Sequence, residues 1–487
     1  MSPEEIARLH QFRDGFTLVD YAEVGLPIFR LTIEAITTSH RAIPAIQEFV
    51  MRALALGVKH ENEIAPMLGL GIDIVQGAVN VLVSEGLVAR QAAPPGWESF
   101  RLTENGESRL ANERLEEIKE EMLVIDYDGI RRHPIRLVSS SVRRAFELKG
   151  IGAIEIRPYP AEPPALSELA IPEVSRVIRR HGGENFHRTV LALKRVVRRN
   201  NLFREAVALV FAADRGSELQ VAFAIDGKLS EKHERAFAEH GGPKKMGFVK
   251  AIAEGRARPH LQRIVGRNVI RSFPDSGALE EVRREQFEAE AGVRSVEPAA
   301  QIAKRNSPAA IALQTARERL SVAEHDLLSM RTRPLACYEQ EDLLDEALAN
   351  ASRSLVVTSA GLQPLILNAY RLREVDRLAE VGVDVRVESN LTPTSVPRSK
   401  DHYDPLAELT RRASQKRLLI EKSPKRELYF LIQDEELAVV SNRPFLGENS
   451  RRSGFIKVDG LVTRQPEYVR LIRDALSAPT AKSRRRV

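Results

Sequence analysis

Cysteine is almost absent from this chain of 487 residues, in which Cys337 is the only one. A single cysteine excludes an internal disulfide framework, and it also excludes a structural zinc site built from clustered cysteines. We therefore expect Cys337 to be a small, buried, apolar residue.

Long apolar runs are also absent. No stretch approaches the length of about 20 residues that a membrane-spanning helix needs. The N-terminus carries Glu4, Glu5 and Asp14 and lacks the basic-then-apolar order of a signal peptide. We therefore expect a soluble, cytoplasmic protein without a membrane partner.

Motifs for common cofactors are missing as well. There is no Gly-x-x-x-x-Gly-Lys-Ser/Thr phosphate loop and no dinucleotide-binding fingerprint after a strand, which disfavours ATP and nicotinamide chemistry. His233 and His240 lie seven residues apart beside Glu234 and Glu239, which is a weak pattern for a metal site, and we expect both histidines at the surface. The sequence thus predicts no cofactor and no metal.

What the chain does have is a globular composition with a strongly ionic surface, since 43% of its residues are hydrophobic and 29% are charged. Its length suggests roughly two to four domains. The net charge of +6 is unevenly distributed, because residues 170–270 contain 20 Lys and Arg against 10 Asp and Glu. One segment therefore holds the positive charge, which favours a polyanionic partner.

Residues 40–112 have the pattern of a winged helix-turn-helix, preceded by an N-terminal segment over residues 1–39. A short second helix, the turn Gly69–Gly71 and a third helix that stops at Gly86 precede two alternating strands around Pro94–Gly96. The amphipathic first helix is predicted by five apolar residues with helical spacing: Ile46, Phe49, Val50, Ala53 and Leu54. This arrangement closely resembles bacterial winged-helix domains.

The third helix of that pattern is the one that would contact DNA bases. Gln76 and Asn80 lie one turn apart on its exposed face and could reach base edges, while Arg90 and Arg101 in the wing could contact phosphates. Asp73, however, would face phosphate at the helix N-terminus, and the exposed face holds no Arg or Lys. DNA contact and docking of a partner protein are both open for this domain.

Residues 113–300 are predicted to form a basic middle region of mixed α/β type, entered through a charged helix over residues 104–122. Its strand candidates are rich in β-branched and aromatic residues: Leu123–Asp126, Ile151–Ile156, Ala206–Phe211 and Leu219–Ile225. The last two are expected to pair as a hairpin across residues 214–217.

Two clusters of basic residues in this region are predicted to bind nucleic-acid phosphates. The first is placed on one helix and comprises Arg188, Lys194, Arg195, Arg198 and Arg199. Only Glu184 and Glu205 are near this helix in sequence, so several guanidinium groups would lack acidic partners. The second cluster, on another predicted helix, comprises Arg256, Arg258, Arg263 and Arg267. The alternative for both is a solvated helix face.

The remainder of the chain divides into three parts. Residues 301–333 alternate Ala, Leu, Arg and Glu with helical spacing and predict a helical connector. Residues 334–478 form a C-terminal α/β domain, and residues 479–487 form a short basic tail that we expect to be disordered.

The segment from Glu427 to Asn442 has the outline of a catalytic hairpin whose catalytic residues are missing. Two apolar strands flank an acidic turn and resemble the hairpin of the phospholipase D superfamily, which carries His-x-Lys-x-x-x-x-Asp and ends in a Ser-x-Asn-like step. The His position falls on Glu427 and the Lys position on Tyr429, whereas Asp434, Ser441 and Asn442 match. Further upstream, a helix at Tyr338–Leu348, a strand at Ser354–Ser359, a helix at Pro364–Val381 and a strand at Gly382–Val387 extend the resemblance.

The resemblance implies a phospholipase D-like domain that has lost its usual activity. That activity needs a His nucleophile and a Lys that neutralises the phosphate charge in the transition state, whereas Glu427 would place an anion against phosphate. An unconventional nuclease that uses His402, Glu427 and Asp434 remains open. Otherwise, residues 401–404 are expected to cap a helix at Pro405–Ala413.

The sequence thus predicts a multidomain α/β protein that binds nucleic acid, with duplex DNA as the expected partner, without catalysis and largely without sequence specificity. A winged helix joined to a degenerate phospholipase D-like domain resembles archaeal sugar-responsive transcription regulators, in which that domain binds an effector. Such domains also occur in accessory proteins of bacterial phage-defence complexes, alongside other protein subunits. We favour the defence setting, because a large basic region suits sequence-independent binding. A regulator, an unconventional nuclease and a protein-docking adaptor are the alternatives.

Overall fold

A computed structural model of the protein describes residues 1–41, 43–92, 98–111, 115–179, 188–253, 257–302, 307–364, 366–390, 404–413, 418–422, 426–447 and 455–477. Several positions singled out above lie outside these ranges, namely Pro94–Gly96, Arg256, His402 and the basic tail. The side chain of Arg188 also lies outside the described part of the chain.

The helices alternate with strands along most of the chain. In chain order they are α1 (Pro3–Leu9), α2 (Ala45–Ala55), α3 (Glu61–Leu68), α4 (Ile72–Ser84), α5 (Glu104–Ala111), α6 (Ala145–Gly150), α7 (Ile171–Arg179), α8 (Glu231–Glu239), α9 (Gly242–Lys245), α10 (Phe248–Ala253), α11 (Ala257–Val265), α12 (Arg267–Arg271), α13 (Ser276–Ile302), α14 (Pro308–Ser329), α15 (Gln340–Asn350), α16 (Ala369–Glu380), α17 (Pro405–Ala413) and α18 (Pro466–Ser477). Within the described ranges no single helix is both long and apolar enough to cross a membrane. Helices α3 and α4 meet that test only as a pair, which is bent by 119°.

The strands form two large sheets and one small hairpin. In chain order they are β1 (Phe12–Arg13), β2 (Phe16–Arg41), β3 (Val88–Gln91), β4 (Ser99–Leu102), β5 (Leu115–Asp128), β6 (His133–Ile135), β7 (Val142–Arg143), β8 (Ile154–Glu155), β9 (Arg188–Ala213), β10 (Leu219–Ile225), β11 (Lys228–Leu229), β12 (Thr332–Pro334), β13 (Ser354–Ser359), β14 (Asp384–Ser389), β15 (Leu418–Lys422), β16 (Tyr429–Gln433), β17 (Leu437–Ser441) and β18 (Gly460–Thr463). The protein is therefore of mixed α/β type and multidomain, as predicted.

Two compact units make up the chain. Unit 1 comprises Met1–Pro27, Ser139–Ala161 and Leu202–Val487, and unit 2 comprises Ile28–Val138 and Glu162–Asn201. The long strands β2 and β9 contribute residues to both units. Neither unit is continuous in sequence.

Unit 2 contains the elements predicted for a winged helix, three helices followed by the antiparallel hairpin β3–β4. Gly69 and Gly86 follow α3 and α4 with φ of 66° and 70°, the left-handed conformation in which glycine ends a helix without strain. The predicted inward face of α2 is wrong at its start, because Ile46 and Phe49 are 41% and 54% exposed. Val50, Ala53 and Leu54 of the predicted face are buried, and Met51 is buried beside them. They pack against apolar residues of α3 and α4.

The winged helix is an insertion between two paired strands. β2 and β5 are antiparallel from Ile28 opposite Asp128 to Arg41 opposite Leu115, a ladder of about 45 Å at 3.3 Å per residue. The predicted charged helix over 104–122 is therefore wrong beyond Ala111. Residues 115–128 pair with β2, and exposed Met122 and Val124 alternate with buried Leu123 and Ile125. Non-local pairing thus outweighs the local helical preference of the charged residues.

The basic segment of unit 2 is also a strand. Residues 188–201, predicted as a helix, are the first part of β9, which lies beside β2 in the sheet. Thr189, Val190, Val196 and Val197 are β-branched residues, which favour a pleated strand over a helix. Helical neighbours in the prediction, such as Arg195 and Arg199, are therefore separated along an extended chain.

In unit 1, the second part of β9 forms the predicted hairpin with β10. Leu219 lies opposite Ala212 in this pairing. A second hairpin joins β10 to β11 through Asp226 and Gly227, whose φ values of 51° and 78° fit the two-residue turn that Asp-Gly favours.

The C-terminal part of unit 1 is a three-layer α/β arrangement. Its seven-stranded sheet has the order β12-β18-β17-β16-β13-β14-β15, with β13, β14 and β15 parallel and the hairpin β16–β17 antiparallel. Helices α15, α16 and α17 cover one face of the sheet. Helices α11, α12 and α18 cover the other. Helices α11 and α12 come from residues that the sequence analysis assigned to the middle region, and their apolar side chains complete this core.

Helices α13 and α14 pack against each other as a helical hairpin. The helical connector predicted over 301–333 corresponds mainly to α14, and residues 332–334 instead form the edge strand β12, paired with β18. The less exposed residues of α14 repeat at alternating steps of four and three: Ala309, Leu313, Ala316, Leu320, Ala323, Leu327 and Met330. This spacing is that of a coiled-coil seam, and its alanines allow close helix approach.

A buried ion pair links the two ends of unit 1. Asp20 of β2 and Arg443, just after β17, are both 3% exposed, and the guanidinium donates to the carboxylate. The second oxygen of Asp20 accepts the backbone N–H of Ile456 at 2.9 Å. Arg443 also donates to the backbone oxygen of Cys337, which is buried as predicted.

We predict that Arg443→Met destabilises unit 1 by about 3–5 kcal/mol, because it leaves the Asp20 carboxylate buried without its partner. The double variant Asp20→Leu with Arg443→Met should recover part of that loss. Urea denaturation measures both. The matched control is Arg470→Met, which breaks the exposed pair with Glu435 and should leave stability nearly unchanged. Equal stability of R443M and R470M would contradict the prediction.

Candidate nucleic-acid interface and the C-terminal hairpin

The exposed face of α4 carries two apolar side chains and an acid, and it has no Arg or Lys. Ile74 and Val81 are 47% and 40% exposed, and Asp73 occupies the first turn. Gln76 is one of the two residues predicted to contact bases, and its side chain hydrogen-bonds the carboxylate of Glu61. Burial raises the pKa of Glu61, and the hydrogen bond from Gln76 opposes that rise. Only Asn80 of the predicted pair is then exposed without a hydrogen-bond partner among the described residues.

The wing contributes less positive charge than its sequence suggests. Arg90 lies 3.8 Å from the carboxylate of Glu98 across the hairpin. Arg101 is exposed on β4 and forms no ion pair with a described residue. Of the four contacts predicted in the winged helix, only Arg101 and Asn80 lack a partner among the described residues.

The basic residues of β9 are partly neutralised by acids on neighbouring strands. Arg195 donates to Glu34 of β2 at 2.6 Å, and Lys194 donates to Glu120 of β5 at 2.5 Å. The hydrogen bond from Arg195 lowers the pKa of Glu34, which keeps that carboxylate ionised. The sequence argument that these cations lack partners is wrong for both, because it counted only acids close in sequence. Arg198 and Arg199 are exposed, and neither forms an ion pair within the described ranges.

The second predicted cluster lies on α11 and α12 of unit 1. Arg263 and Arg267 are exposed, and Arg271 adds a third exposed guanidinium four residues further on. None of the three forms an ion pair with a described residue. Arg258 faces Asp459, whose pKa is raised by burial and held down by Lys457 and Arg258. Arg271 escaped the sequence analysis although its spacing of four residues from Arg267 on a helix was a usable signal.

Asp434 in the C-terminal hairpin serves the fold. It lies in the β16–β17 turn with φ of 48° and accepts four hydrogen bonds of 2.7–3.0 Å. The donors are the backbone N–H groups of Ser352, Arg353 and Ser354 and the Ser352 hydroxyl. Burial alone would raise the pKa of Asp434, but these bonds outweigh it and lower the pKa below its ordinary value. A carboxylate so engaged holds the turn against the start of β13.

The other matched positions of the hairpin are committed to the fold in the same way. The Ser441 hydroxyl accepts the Arg443 N–H at 3.0 Å, and the Asn442 side chain bonds the backbone of Lys457 and Asp459 at 2.7 and 3.0 Å. Glu427, which stands at the His position, is exposed and ion-paired with His260 of α11.

Tyr429, at the Lys position, is a half-buried phenol whose pKa is raised by burial. It is not a cation, so it cannot neutralise a phosphate as the lysine of the resembled motif would. His402, the remaining candidate of the unconventional nuclease, lies outside the described residues, while Asp404 caps α17 by accepting the N–H of Leu406 at 3.0 Å.

The two histidines considered for a metal differ in their surroundings. His233 is 5% exposed and lies 2.7 Å from the Ser230 hydroxyl, so the expectation of a surface histidine is wrong for it. It shares the buried side of α8 with Phe237, one turn away. His240 packs against the ring of Tyr159. Among the residues described, no group of three or more His, Cys, Asp or Glu side chains is placed to hold a metal ion.

Comparison with known proteins gives only partial structural similarity. The sequence matches no protein-family model and no curated protein. Among solved structures, the archaeal chromatin protein TrmBL2, in a structure reported to show a novel mode of DNA binding, is 17% identical, with 40% of this chain and 66% of that chain covered and a TM-score of 0.23. Phosphatidylserine synthase of Haemophilus influenzae Rd KW20 is 11% identical, with 33% and 45% covered and a TM-score of 0.20. Neither similarity is close enough to carry a functional argument.

We predict that Asp434→Asn destabilises unit 1 by about 3 kcal/mol at pH 7, because an amide oxygen cannot accept all four hydrogen bonds. The folded pKa of Asp434 is depressed, so its contribution is present above the ordinary carboxyl pKa of about 4 and is lost as pH falls through the folded pKa. The stability difference from wild type should therefore shrink below about pH 4. Urea denaturation between pH 7 and pH 3 measures it, with exposed Glu436→Gln as control. A D434N protein as stable as E436Q would exclude this structural role.

Proposed function

We propose that this chain is a non-catalytic nucleic-acid-binding protein that holds duplex DNA mainly through phosphates and with little sequence preference. The observation that carries the proposal is the set of exposed arginines on α11 and α12, namely Arg263, Arg267 and Arg271, which form no ion pair with a described residue. We call this set the α11–α12 arginine cluster. Arg258 beside it, and Arg198 and Arg199 of unit 2, are further proposed phosphate contacts.

An exposed guanidinium without an acidic partner can bind a phosphate without first breaking an ion pair. Each phosphate it neutralises releases condensed counterions, which gives a slope of about −0.9 in log affinity against log salt concentration. Lys194 and Arg195 are weaker candidates than the sequence suggested, because binding DNA would require them to exchange Glu34 and Glu120 for phosphate. The α11–α12 arginine cluster needs no such exchange.

Low sequence preference is supported by the chemistry of α4. Base recognition in the major groove uses bidentate donors and acceptors, whereas the exposed face of α4 presents Ile74, Val81 and Asp73, with Gln76 engaged by Glu61. Arg90, Arg101, Gln76 and Asn80 remain in the proposal only as secondary contacts.

The absence of catalysis is supported by the roles of the hairpin residues. The side chains of Asp434, Ser441 and Asn442 each accept hydrogen bonds from backbone N–H groups within the fold. Glu427 would repel a phosphodiester. The unconventional nuclease is therefore the weaker alternative.

The proposed setting is a bacterial complex, such as a phage-defence system, in which this chain supplies DNA binding to other subunits. The exposed apolar residues of α4 support a protein-docking role for the winged helix, which would be the contact to such a subunit. A transcription regulator with an effector-binding C-terminal domain is the second candidate, and it requires sequence preference that α4 does not favour.

We expect the triple variant Arg263→Gln, Arg267→Gln and Arg271→Gln to bind every duplex sequence more weakly. The log-log salt slope should flatten by about 2–3 units, since each lost phosphate contact removes about 0.9. Fluorescence anisotropy with a labelled duplex at four salt concentrations measures affinity and slope together.

The matched control carries the same change in net charge at three exposed, ion-paired arginines, Arg284→Gln, Arg317→Gln and Arg470→Gln. It alters the overall field equally but removes no proposed contact. If both triple variants lose the same affinity and slope, the α11–α12 arginine cluster is not an interface.

The two roles of the winged helix separate in a second experiment. Selection from random duplexes should yield no sharp motif with wild type, and Gln76→Ala with Asn80→Ala should leave DNA affinity nearly unchanged. The double variant Ile74→Gln with Val81→Gln is the matched control, because it changes only the apolar residues of the same face of α4. A sharp motif that disappears with the Gln76 and Asn80 substitutions would establish an operator-binding regulator instead.

A further inference from the structure

A cavity of about 420 Å³ lies in unit 1 between the α13–α14 hairpin, α1 and α15. Its volume falls in the range of small-molecule sites, about 300–1,000 Å³. None of the proposed DNA-contacting residues lines it. The cavity is therefore separate from the proposed function and is argued on its own residues.

The cavity is lined by five arginines and five Asp and Glu residues, and two of the arginines share one carboxylate. Glu339 is buried and accepts hydrogen bonds from Arg333 at 2.7 Å and from Arg283 at 3.3 Å. Burial would raise the pKa of Glu339, but attraction by the two guanidinium groups and their hydrogen bonds lower it to about 2. One carboxylate is thus shared by two arginines, and Nε of Arg283 is buried without a hydrogen-bond partner among the described residues.

Arg331 adds a further cation at the start of β12. It lines the cavity, is exposed, and forms no ion pair with a described residue. The remaining lining arginines are already paired, Arg8 with Asp342 and Arg464 with Glu346. Positive charge therefore exceeds negative charge only locally, where Arg331, Arg333 and Arg283 line the cavity, and acids such as Glu290 and Glu324 balance it elsewhere in the lining.

Apolar side chains form another part of the cavity lining. The α13–α14 hairpin contributes Phe287, Leu327, Leu328 and Met330, and Leu328 is 47% exposed. A cavity with an apolar wall and a few convergent polar groups is the usual design of a ligand site. Glu324, on the same helix as Leu327, is an exposed acid and would oppose a negative charge on that side of the cavity.

We propose that this cavity binds a small amphipathic organic acid, with its apolar body against the α13–α14 wall and its carboxylate or phosphate group at Arg331. Arg283 and Arg333, which share the single carboxylate of Glu339, supply further positive charge near this head group. A cation of the same shape placed at that end of the cavity would be repelled by Arg331.

Isothermal titration calorimetry with n-octyl phosphate tests the proposal. Octyl phosphate should bind the full chain saturably at one site, whereas inorganic phosphate, which lacks the apolar body, should bind at least tenfold more weakly. Octyltrimethylammonium has the same tail and the opposite charge and should not bind. Equal binding of the two octyl compounds, or no saturable binding of octyl phosphate, would overturn the proposal.

Three variants locate the site. Arg331→Gln should weaken octyl phosphate binding about tenfold or more, as expected for the loss of a hydrogen bond to a charged group. Glu324→Gln changes charge in the opposite direction on the same cavity and should leave binding unchanged or tighten it. Leu328→Ser should weaken octyl phosphate and leave inorganic phosphate unaffected. An unchanged affinity in R331Q, measured in protein with wild-type thermal stability, would place the ligand elsewhere and refute this site.

Discussion

The buried pair of Asp20 and Arg443 is the constraint on which unit 1 depends. It joins residues more than 400 positions apart and ties the first long strand to the sheet formed near the end of the chain. Burial outweighs the attraction of Arg443 and raises the pKa of Asp20, so the pair is costly to desolvate and stabilises one arrangement rather than adding much net stability. Gln340 and Ser441 hold the backbone of Arg443 in place. Ser441, which matches the motif of the resembled catalytic hairpin, thus positions the backbone of Arg443.

Elements with a strong local signal were predictable from the sequence. The strand Ser354–Ser359, the helix Pro405–Ala413 and the strand Leu219–Ile225 occur with the predicted bounds, because periodicity, caps and turn residues act over a few positions. The segment Arg188–Asn201 was misassigned, since its structure depends on pairing with β2, about 160 residues earlier in the chain. Local preference does not contain such information. The position of α11 and α12 in the C-terminal core was invisible for the same reason.

Charge shows the same limit in the candidate site. The excess of positive residues between 170 and 270 is real in composition, but Lys194 and Arg195 are matched by Glu34 and Glu120, which lie outside that window. The number of basic residues in this window therefore overstates the positive electrostatic potential near β9. Near α11 and α12 the count holds better, because only Arg258 faces a described acid, Asp459, whereas Arg263, Arg267 and Arg271 form no ion pair with a described residue. Geometry rather than number separates the cations that stabilise a fold from those available to a ligand.

The insertion of the winged helix at the end of the β2–β5 ladder determines how that domain can move. A domain tethered by a single flexible linker swivels freely, whereas this one leaves one strand at Arg41 and re-enters its partner at Leu115, directly opposite. The winged helix is therefore joined to the rest of unit 2 through two paired strands, so a displacement of this domain acts on both strands of the ladder together.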